Sequence, residues 1–496
     1  MQICQLINNI DIIKISDENI ISTDITGICC NSETALRGEL FVAVKGYKND
    51  GHDFIEDAAV KGVACVICEV SPTTDIPYIL VSDSRKALAG VSAAWFGDPA
   101  DKMKMIGITG TNGKTSCTYL IKHILEKCNA GKVGLIGTIG NKIGDREISA
   151  TLTTPDSYEL QSILAKMAME GCQYVVMEVS SHALCLSRVY GISYDIGIFT
   201  NLTPEHLDFH NTMDEYADAK ALLFKNSKKS IINIDDNYSQ LMIKSSPGKV
   251  ITYAIENSEA DITGKEINLY SNKVEFCAVT PAVKSFIKVH IPGLFTVYNA
   301  LAVMAAMLET GLDEKSIADS LSTCQGISGR AEVLSTGCDF TVIVDYAHTP
   351  DALMNILEAA RTQNSGRVIT VFGCGGDRDK AKRPVMGKIA TQLSDFTIIT
   401  SDNPRTEDPQ KIISDITSGI EDKPQSQTSE NYTTITDRKV AICKAIDILT
   451  AGDVLLIAGK GHEIYQILGE EKIFFSDREV VEEYLTAIRK DIRNRA

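Results

Sequence analysis

Residues 105–116 read Met-Ile-Gly-Ile-Thr-Gly-Thr-Asn-Gly-Lys-Thr-Ser, an apolar strand that runs into a glycine turn, with a helical pattern over 118–127 directly after it. No other feature constrains the chain as strongly. Backbone N–H groups of the loop Gly110, Thr111, Asn112, Gly113, Lys114, Thr115 and Ser116, together with the positive end of the helix that follows, form a cradle for phosphates. Lys114 neutralises the outer phosphates and the Thr115 hydroxyl reaches Mg²⁺. The loop departs from the strict P-loop, because Ile108 stands five residues before Gly113 where the first glycine belongs. The alternative is a glycine turn that happens to carry Lys and Thr.

Short apolar strands are predicted at 63–68, 105–109, 174–179, 196–200, 341–344, 368–372, 397–400 and 454–458, separated by helix-length segments. This alternation makes the chain α/β with parallel sheets. Turn formers gather at Phe96-Gly-Asp-Pro-Ala100 and at Gly326-Ile-Ser-Gly-Arg330, each ahead of a new strand. Three domains follow, at 1–98, 99–330 and 331–496, in keeping with roughly 100–200 residues per domain. No internal repeat is evident, and 421–431, with Pro, Ser, Gln and Thr, reads as a polar loop.

With 49 Lys and Arg against 65 Asp and Glu the net charge is −16, which excludes a protein that coats nucleic acid through a broad basic face. Anionic ligands must be held by local clusters. An apolar fraction of 44% excludes disorder, and no stretch reaches the roughly 18 uncharged apolar residues of a membrane helix. Met1-Gln2-Ile3-Cys4 does not begin a secretion signal, so the 14 Cys are expected to stay reduced in the cytoplasm. Cys65 and Cys68, the one C-x-x-C, lie in an apolar run and read as buried strand residues rather than a redox or metal pair.

Glu178, in Val175-Val-Met-Glu-Val-Ser-Ser-His182, emerges at the C-terminal end of a predicted strand, where open α/β sheets bind ligands. A Mg²⁺ ligand is its natural role, and a solvated strand end is the alternative. Thr200-Asn-Leu-Thr-Pro-Glu-His-Leu-Asp-Phe-His210 concentrates metal-capable groups, among which His206 is the preferred ligand. Lys220, by its residues alone, reads as an amphipathic-helix lysine reaching water. Four further polar loops close strands late in the chain: Val344-Asp-Tyr-Ala-His-Thr-Pro-Asp351, Phe372-Gly-Cys-Gly-Gly-Asp-Arg-Asp379, Ser401-Asp-Asn-Pro-Arg405 and Ala458-Gly-Lys-Gly-His-Glu463. Arg378 and Arg405 suit a carboxylate, while Asp402 and Glu463 suit an ammonium, so this edge fits a zwitterion. A surface salt bridge is the alternative for either arginine.

At these motifs the chain resembles the Mur ligases over nearly its whole length, within them the type that extends UDP-N-acetylmuramoyl-L-alanyl-D-glutamate by a third residue. The resemblance rests on Gly110-Thr-Asn-Gly-Lys-Thr-Ser116, Thr153-Thr-Pro-Asp156, Glu178-Val-Ser-Ser-His182, His206-Leu-Asp208, Ala219-Lys220, Gly293-x-Phe295 with Asn299, Gly329-Arg330, Asp345-Tyr-Ala-His-Thr-Pro350, Asp402-Asn-Pro-Arg405 and Gly459-Lys-Gly-His-Glu463. Gly38-x-Leu-Phe-Val-Ala43 and Asp50-Gly51-x-x-Phe54-Ile55 are similar to the family's first domain. The resemblance implies a Rossmann-like UDP-binding domain, a central P-loop ATPase-like domain with a mostly parallel sheet, and a Rossmann-like C-terminal domain. It implies a monomer with no nucleic-acid partner.

The implied reaction is ATP-dependent C–N ligation: the D-glutamyl carboxylate takes a phosphoryl group from ATP, and an amine attacks the acyl phosphate. Phosphorylation supplies the leaving group that a carboxylate lacks, while two Mg²⁺ screen the repulsion between anions. By resemblance Thr115 and Glu178 serve one Mg²⁺ and His206 the other, with Lys114 on the phosphates. Lys220 is implied to carry a CO₂-derived carbamate that also orders Mg²⁺, which reverses its reading as a solvated lysine. Asn299 is implied near adenine, and Arg330 and Asp345 near the phosphates and ribose. Ser32, Thr153, Thr154, Ser180 and Arg188 match muramoyl-substrate positions.

Arg378, Asp402, Asn403, Pro404, Arg405, Gly459 and Glu463 match the amino-acid site, and Asp-Asn-Pro-Arg resembles the relatives that add meso-diaminopimelate rather than L-lysine. The second carboxylate of diaminopimelate pairs with Arg405 and Arg378, whereas lysine strands a buried guanidinium. Three positions depart from the family: Asn31-Ser-Glu33 replaces Asp-Ser-Arg, Thr296 replaces Asn, and Leu186 replaces a polar amide. Folylpolyglutamate synthetases share the ligase core but lack the separate first domain, and a P-loop kinase or NTPase is the other rival.

Overall fold

The computed structural model describes residues 1–46, 49–150, 152–281, 283–362, 366–420 and 431–495, so the polar loop expected at 421–431 lies outside the described residues apart from Asn431. Sequence alternation of strand and helix becomes three sheets and a hairpin in chain order. In the first, Tyr78–Val81, Cys65–Cys68, Leu40–Val42 and Ile28–Cys29 run parallel, and Ile12–Ile15 closes one edge antiparallel. Cys65 and Cys68 are buried strand residues with thiols raised by burial, Cys65 to about 12 and Cys68 to about 11, as their apolar surroundings require.

The central sheet has 11 strands. Its parallel body includes Lys132–Ile136, Cys172–Glu178, Lys104–Thr109, Ile196–Phe199 and Lys229–Asn233 side by side. Strands covered by helices on both faces read as continuous apolar runs, which is why these were legible in the sequence. The antiparallel meander of Ile262–Leu269, Val274–Val279 and Lys284–Val289 was not, since its alternating burial mixes lysines and glutamates among the apolar residues. Most expected strands shift by one or two residues at an end, and the helix after the glycine loop begins at Lys114 instead of Thr118.

In the third sheet, Thr341–Asp345, Val454–Ala458, Val368–Phe372, Phe396–Ile399 and Tyr432–Thr434 run parallel, with Glu332–Leu334 antiparallel at one edge. The helix Leu294–Leu308 is buried nearly all round, which its uniformly apolar sequence demands. It packs on Lys114–Lys127 and belongs to one apolar cluster that continues into the third sheet through Ile343, Leu353 and Leu456. The first and central parts meet where Tyr158 packs on the first core and lies 5.3 Å from the Phe96 ring. No helix among the described residues is long and apolar enough to cross a membrane.

Candidate active site

The glycine loop turns because Gly110 and Gly113 hold φ of +146° and +88°. A Cβ at Gly113 would strike Asn299 Oδ1, so the glycine is what lets the helix Leu294–Leu308 close over the loop. The segment after Ile196–Phe199 braces it from the other side. Thr200 Oγ1 donates to the Asn112 carbonyl at 2.6 Å, Asn201 Oδ1 accepts from the Asn112 N–H at 2.9 Å, and Thr111 Oγ1 accepts from the Thr203 N–H at 3.0 Å. Lys114 folds back onto the Gly110 and Thr111 carbonyls, both at 2.7 Å, and forms no ion pair among the described residues. Burial lowers its pKa, against the pull of Glu178 and Glu205.

Glu178 closes its strand beside the loop, and both of its oxygens are engaged. Oε1 accepts from Thr115 Oγ1 at 3.0 Å and from the Thr138 N–H at 2.9 Å, while Oε2 accepts from Thr138 Oγ1 at 3.0 Å. Thr138 carried no signal in the sequence. Thr115 also receives Arg330 Nη2 at 3.1 Å, from 215 residues further along the chain.

Lys220 is 1% exposed, which corrects its residue-level reading as a solvated helix lysine. Its helix, Met213–Lys225, turns that face inward between Tyr216 and Phe224. The amine stands 4.4 Å from the Tyr216 ring centroid, with no acceptor within hydrogen-bond reach among the described residues. Burial, then the charge of Lys114, depresses its pKa well below the ordinary 10.5, which favours the neutral amine. His206 sits in the left-handed region at φ 57°, and burial lowers its pKa too, leaving a lone pair available. Its imidazole is 3.7 Å from Glu205, which also faces His348 at 3.4 Å. Glu205 was quoted in the sequence without a role. Burial raises its pKa, but hydrogen bonding and charge from His348, with the charges of His206 and Lys114, together outweigh it and hold the carboxyl well below the usual range.

Thr115, Glu178, His206 and Lys220 all line one cavity of about 190 Å³. Among the described residues no three His, Cys, Asp or Glu side chains converge as a ready-made cage. Mg²⁺ requires only one or two protein groups when phosphate oxygens and water complete its octahedron, so the hydroxyl and carboxylate of Thr115 and Glu178 suit it chemically.

A second cavity, about 280 Å³, opens on the far side of the glycine loop, lined by Leu294, Phe295, Tyr298, Asn299 and Asp345. Arg330 lines both cavities, its guanidinium 4.6 Å from the Tyr346 ring centroid and its buried Nε without a partner. Asp345 accepts the Ala331 and Ala347 N–H groups at 2.6 and 2.7 Å. Burial raises its pKa.

Ser180 Oγ caps the short helix Ser181–Cys185 by accepting from the Ala183 N–H. Thr154 Oγ1 donates to the Glu178 carbonyl at 2.8 Å, Arg188 Nη1 donates to the Thr154 carbonyl at 3.0 Å, and Thr153 Oγ1 lies 3.1 Å from Thr138 Oγ1. Ser32 lines neither cavity and lies on the first sheet's loop beyond Cys30, whose thiol feels Asp156. Of the three departures, Asn31-Ser-Glu33 forms its own turn, with Asn31 accepting from the Glu33 N–H at 2.9 Å and Glu33 exposed, Thr296 bonds the Pro292 carbonyl at 2.9 Å, and Leu186 is the half-buried C-cap of the helix Ser181–Cys185.

At the C-terminal edge of the third sheet both arginines approach Gly375: a Cβ there would lie 3.2 Å from Arg405 Nη1 and 3.9 Å from Cγ of the exposed Arg378, whose Nη1 donates to the Asp377 carbonyl. Arg405, at φ 52°, donates to the Gly376 carbonyl at 2.5 Å. Both loops hang on Arg383, a residue the sequence did not single out. It is 0% exposed, bonds both oxygens of Glu407 at 3.0 and 2.9 Å, and reaches Asp415 at 2.8 Å and the Gly375 carbonyl at 3.2 Å. Gly459, at φ +113°, brings its strand end against Asp402, so that a Cβ would sit 2.5 Å from Asp402 Oδ2. Asn403 is internally engaged, donating to Glu463 Oε2 at 2.8 Å and accepting from the Ile467 N–H at 3.0 Å. Pro404 is buried with its carbonyl against Gly376.

The chain matches three family descriptions in succession: "Mur ligase family, catalytic domain" over 24–95, "Mur ligase middle domain" over 108–307 and "Mur ligase, glutamate ligase domain" over 329–461. It is 48% identical over 472 residues, 95% of this chain and 96% of the other, to the UDP-N-acetylmuramoyl-L-alanyl-D-glutamate--2,6-diaminopimelate ligase of Caldanaerobacter subterraneus. It is 45% identical over 469 residues, 94% and 95% of the two chains, to ligase 1 of that name from Clostridium acetobutylicum. A solved structure of a protein with the same name superposes with TM-score 0.72 and 31% identity, covering 99% of both chains.

Proposed function

The chain belongs to the Mur ligase family, and from that premise we propose how its residues divide the work. It is an ATP-dependent ligase that joins 2,6-diaminopimelate to the D-glutamyl carboxylate of UDP-N-acetylmuramoyl-L-alanyl-D-glutamate. One observation carries the assignment of the phosphate site: Lys114 and the unpartnered Arg330 Nε face one loop from two parts of the chain. Between them lies space for the anionic chain of ATP, and the apolar cavity of Leu294 and Phe295 beyond takes the base beside Asn299.

In this reading the glutamyl carboxylate enters along Thr153, Thr154, Ser180 and Arg188. Its oxygen attacks the γ-phosphorus, ADP leaves, and the amine of diaminopimelate then attacks the acyl carbon as phosphate departs. The backbone amides, Lys114 and Arg330 hold the charge that moves during transfer. Thr115 and Glu178 would hold one Mg²⁺ and His206, with a carbamate on Lys220, a second, and these ions would supply charge neutralisation when bound. Burial of the Lys220 amine without a hydrogen-bond partner among the described residues, which favours its free base, supports its conversion to a carbamate, since only the free base reacts with CO₂. Contacts such as that of Arg330 to Thr115 exclude water from the acyl phosphate.

Arg378 and Arg405 take the distal carboxylate of meso-diaminopimelate, and Asp402, Gly459 and Glu463 its distal ammonium. We read the domain limits as 1–98, 99–330 and 331–496, supported by the three sheets. We read the enzyme as a monomer, and ATP as co-substrate supports a cytoplasmic location. The test is phosphate release with ATP, Mg²⁺ and the nucleotide peptide, comparing meso-diaminopimelate, L-lysine and no amine. Release only with diaminopimelate is expected. Release with lysine would overturn the role of Arg405, and release without amine would favour a plain NTPase.

A further inference from the structure

Lys460 is a lysine with no route to solvent: it is 0% exposed, at the end of the strand Val454–Ala458. Burying an ammonium is costly unless it is both paired and hydrogen-bonded. Here Nζ lies 3.0 Å from Glu463 Oε2, 3.2 Å from Asn403 Oδ1 and 3.9 Å from Asp402 Oδ1, with the Tyr465 ring centroid 5.5 Å away. Its partners come from two different strand ends, and they include the carboxylates assigned above to the substrate's distal ammonium.

Two carboxylates face one internal ammonium, and among the described residues no second cationic side chain is hydrogen-bonded to the pair. The buried Arg438 gives Nε and Nη2 to Asp477 at 2.7 Å each and acts on Asp402 and Glu463 only through space. Lys460 therefore does two things. It fixes Glu463 and, through Asn403, the loop that carries Arg405, and it reduces the charge of the pair to that of a receptor for a single cation.

We propose that Lys460 is a positioning residue that sets specificity, shaping Asp402 and Glu463 into a receptor for exactly one substrate ammonium at the distal centre of the amino acid. The inference rests on the amino-acid assignment of the C-terminal loops. Its consequence is selective. Loss of Lys460 should weaken an amino acid that presents a distal ammonium, and spare one that lacks it.

The experiment compares wild type with Lys460→Met, using meso-diaminopimelate and 2-aminopimelate, which keeps the attacking amine and the distal carboxylate but has no distal ammonium. We expect KM for diaminopimelate to rise about tenfold or more, with kcat within about threefold, KM for 2-aminopimelate within about twofold, and KM for ATP and the nucleotide peptide unchanged. An equal loss with both amino acids, or no loss with either, overturns the proposal. Lys460→Gln keeps a donor toward Asn403 while dropping the charge, and it repeats the comparison if Lys460→Met loses its thermal transition. A wild type whose phosphate release ignores both amino acids overturns the assignment of the loops along with the proposal. Release that depends on diaminopimelate, with variants that lose both substrates equally, overturns the role of Lys460 alone.

Discussion

Asn112 Nδ2 donates to Asp351 Oδ2 at 3.0 Å, joining the glycine loop to the first turn of the helix Pro350–Arg361 across 239 residues of sequence. Asp351 also receives Thr203 Oγ1 at 3.5 Å, so one carboxylate touches both the loop and its brace. The cavity proposed above for the nucleoside is thereby bounded on one side by a contact between two parts of the chain that fold on different sheets.

Asp351→Ala should loosen this closure. Loss of a partly buried hydrogen bond to a charged group is worth about 1.5–3 kcal/mol, so KM for ATP should rise roughly tenfold or more, with KM for diaminopimelate nearly unchanged. Steady-state kinetics with each substrate varied in turn checks this. An unchanged KM for ATP would show that the contact plays no part in nucleotide binding.

Lys220→Ala should abolish ligation, because the residue that remains cannot carry a carbamate, and a small carboxylic acid should restore part of the activity by taking the vacated place. Phosphate release with and without added acetate or formate measures both effects. Activity that survives the substitution would remove Lys220 from the reaction.

Arg405→Ala should weaken diaminopimelate far more than lysine, since only the former has a second carboxylate for the guanidinium. With charge-assisted bonds worth about 1.5–3 kcal/mol, the loss in kcat/KM is roughly tenfold to a hundredfold. An equal fall for both amino acids would contradict the pairing.

The Glu407 carboxyl is held down from the ordinary 4.5 to about 2, chiefly by the paired hydrogen bond from Arg383. A carboxyl lowered in the folded state stabilises the protein above its unfolded pKa, and that contribution disappears as pH falls toward the folded value. Glu407→Gln should therefore lower stability at neutral pH by about 3 kcal/mol, since it leaves Arg383 buried with one partner fewer. The gap to wild type should narrow as pH drops below about 4.5. Thermal midpoints measured from pH 7 to pH 3 check both parts, and a gap that stays constant with pH would assign the effect to packing alone.

Much of the fold and site was legible in the residues because it depends on local rules. Buried parallel strands write continuous apolar runs, a glycine loop between strand and helix writes a phosphate cradle, and polar residues following strand ends write a site edge. The family motifs then named Glu178, His206, Lys220 and the two arginines, and the folded chain gathers Thr115, Glu178, His206 and Lys220 around one cavity.

What the residues did not reveal depends on distance in space. Lys220 and Lys460 look like ordinary lysines, and only packing shows that one is buried beside an aromatic ring without a partner and the other against two carboxylates. Arg383, Thr138 and Asp351 act through partners tens to hundreds of residues away. Sequence by itself determined the alternation, the phosphate loop and the chemistry of the strand ends. Tertiary structure alone decided which charges are left unpaired, because desolvation and pairing are properties of the volume around a side chain and not of its neighbours in the chain.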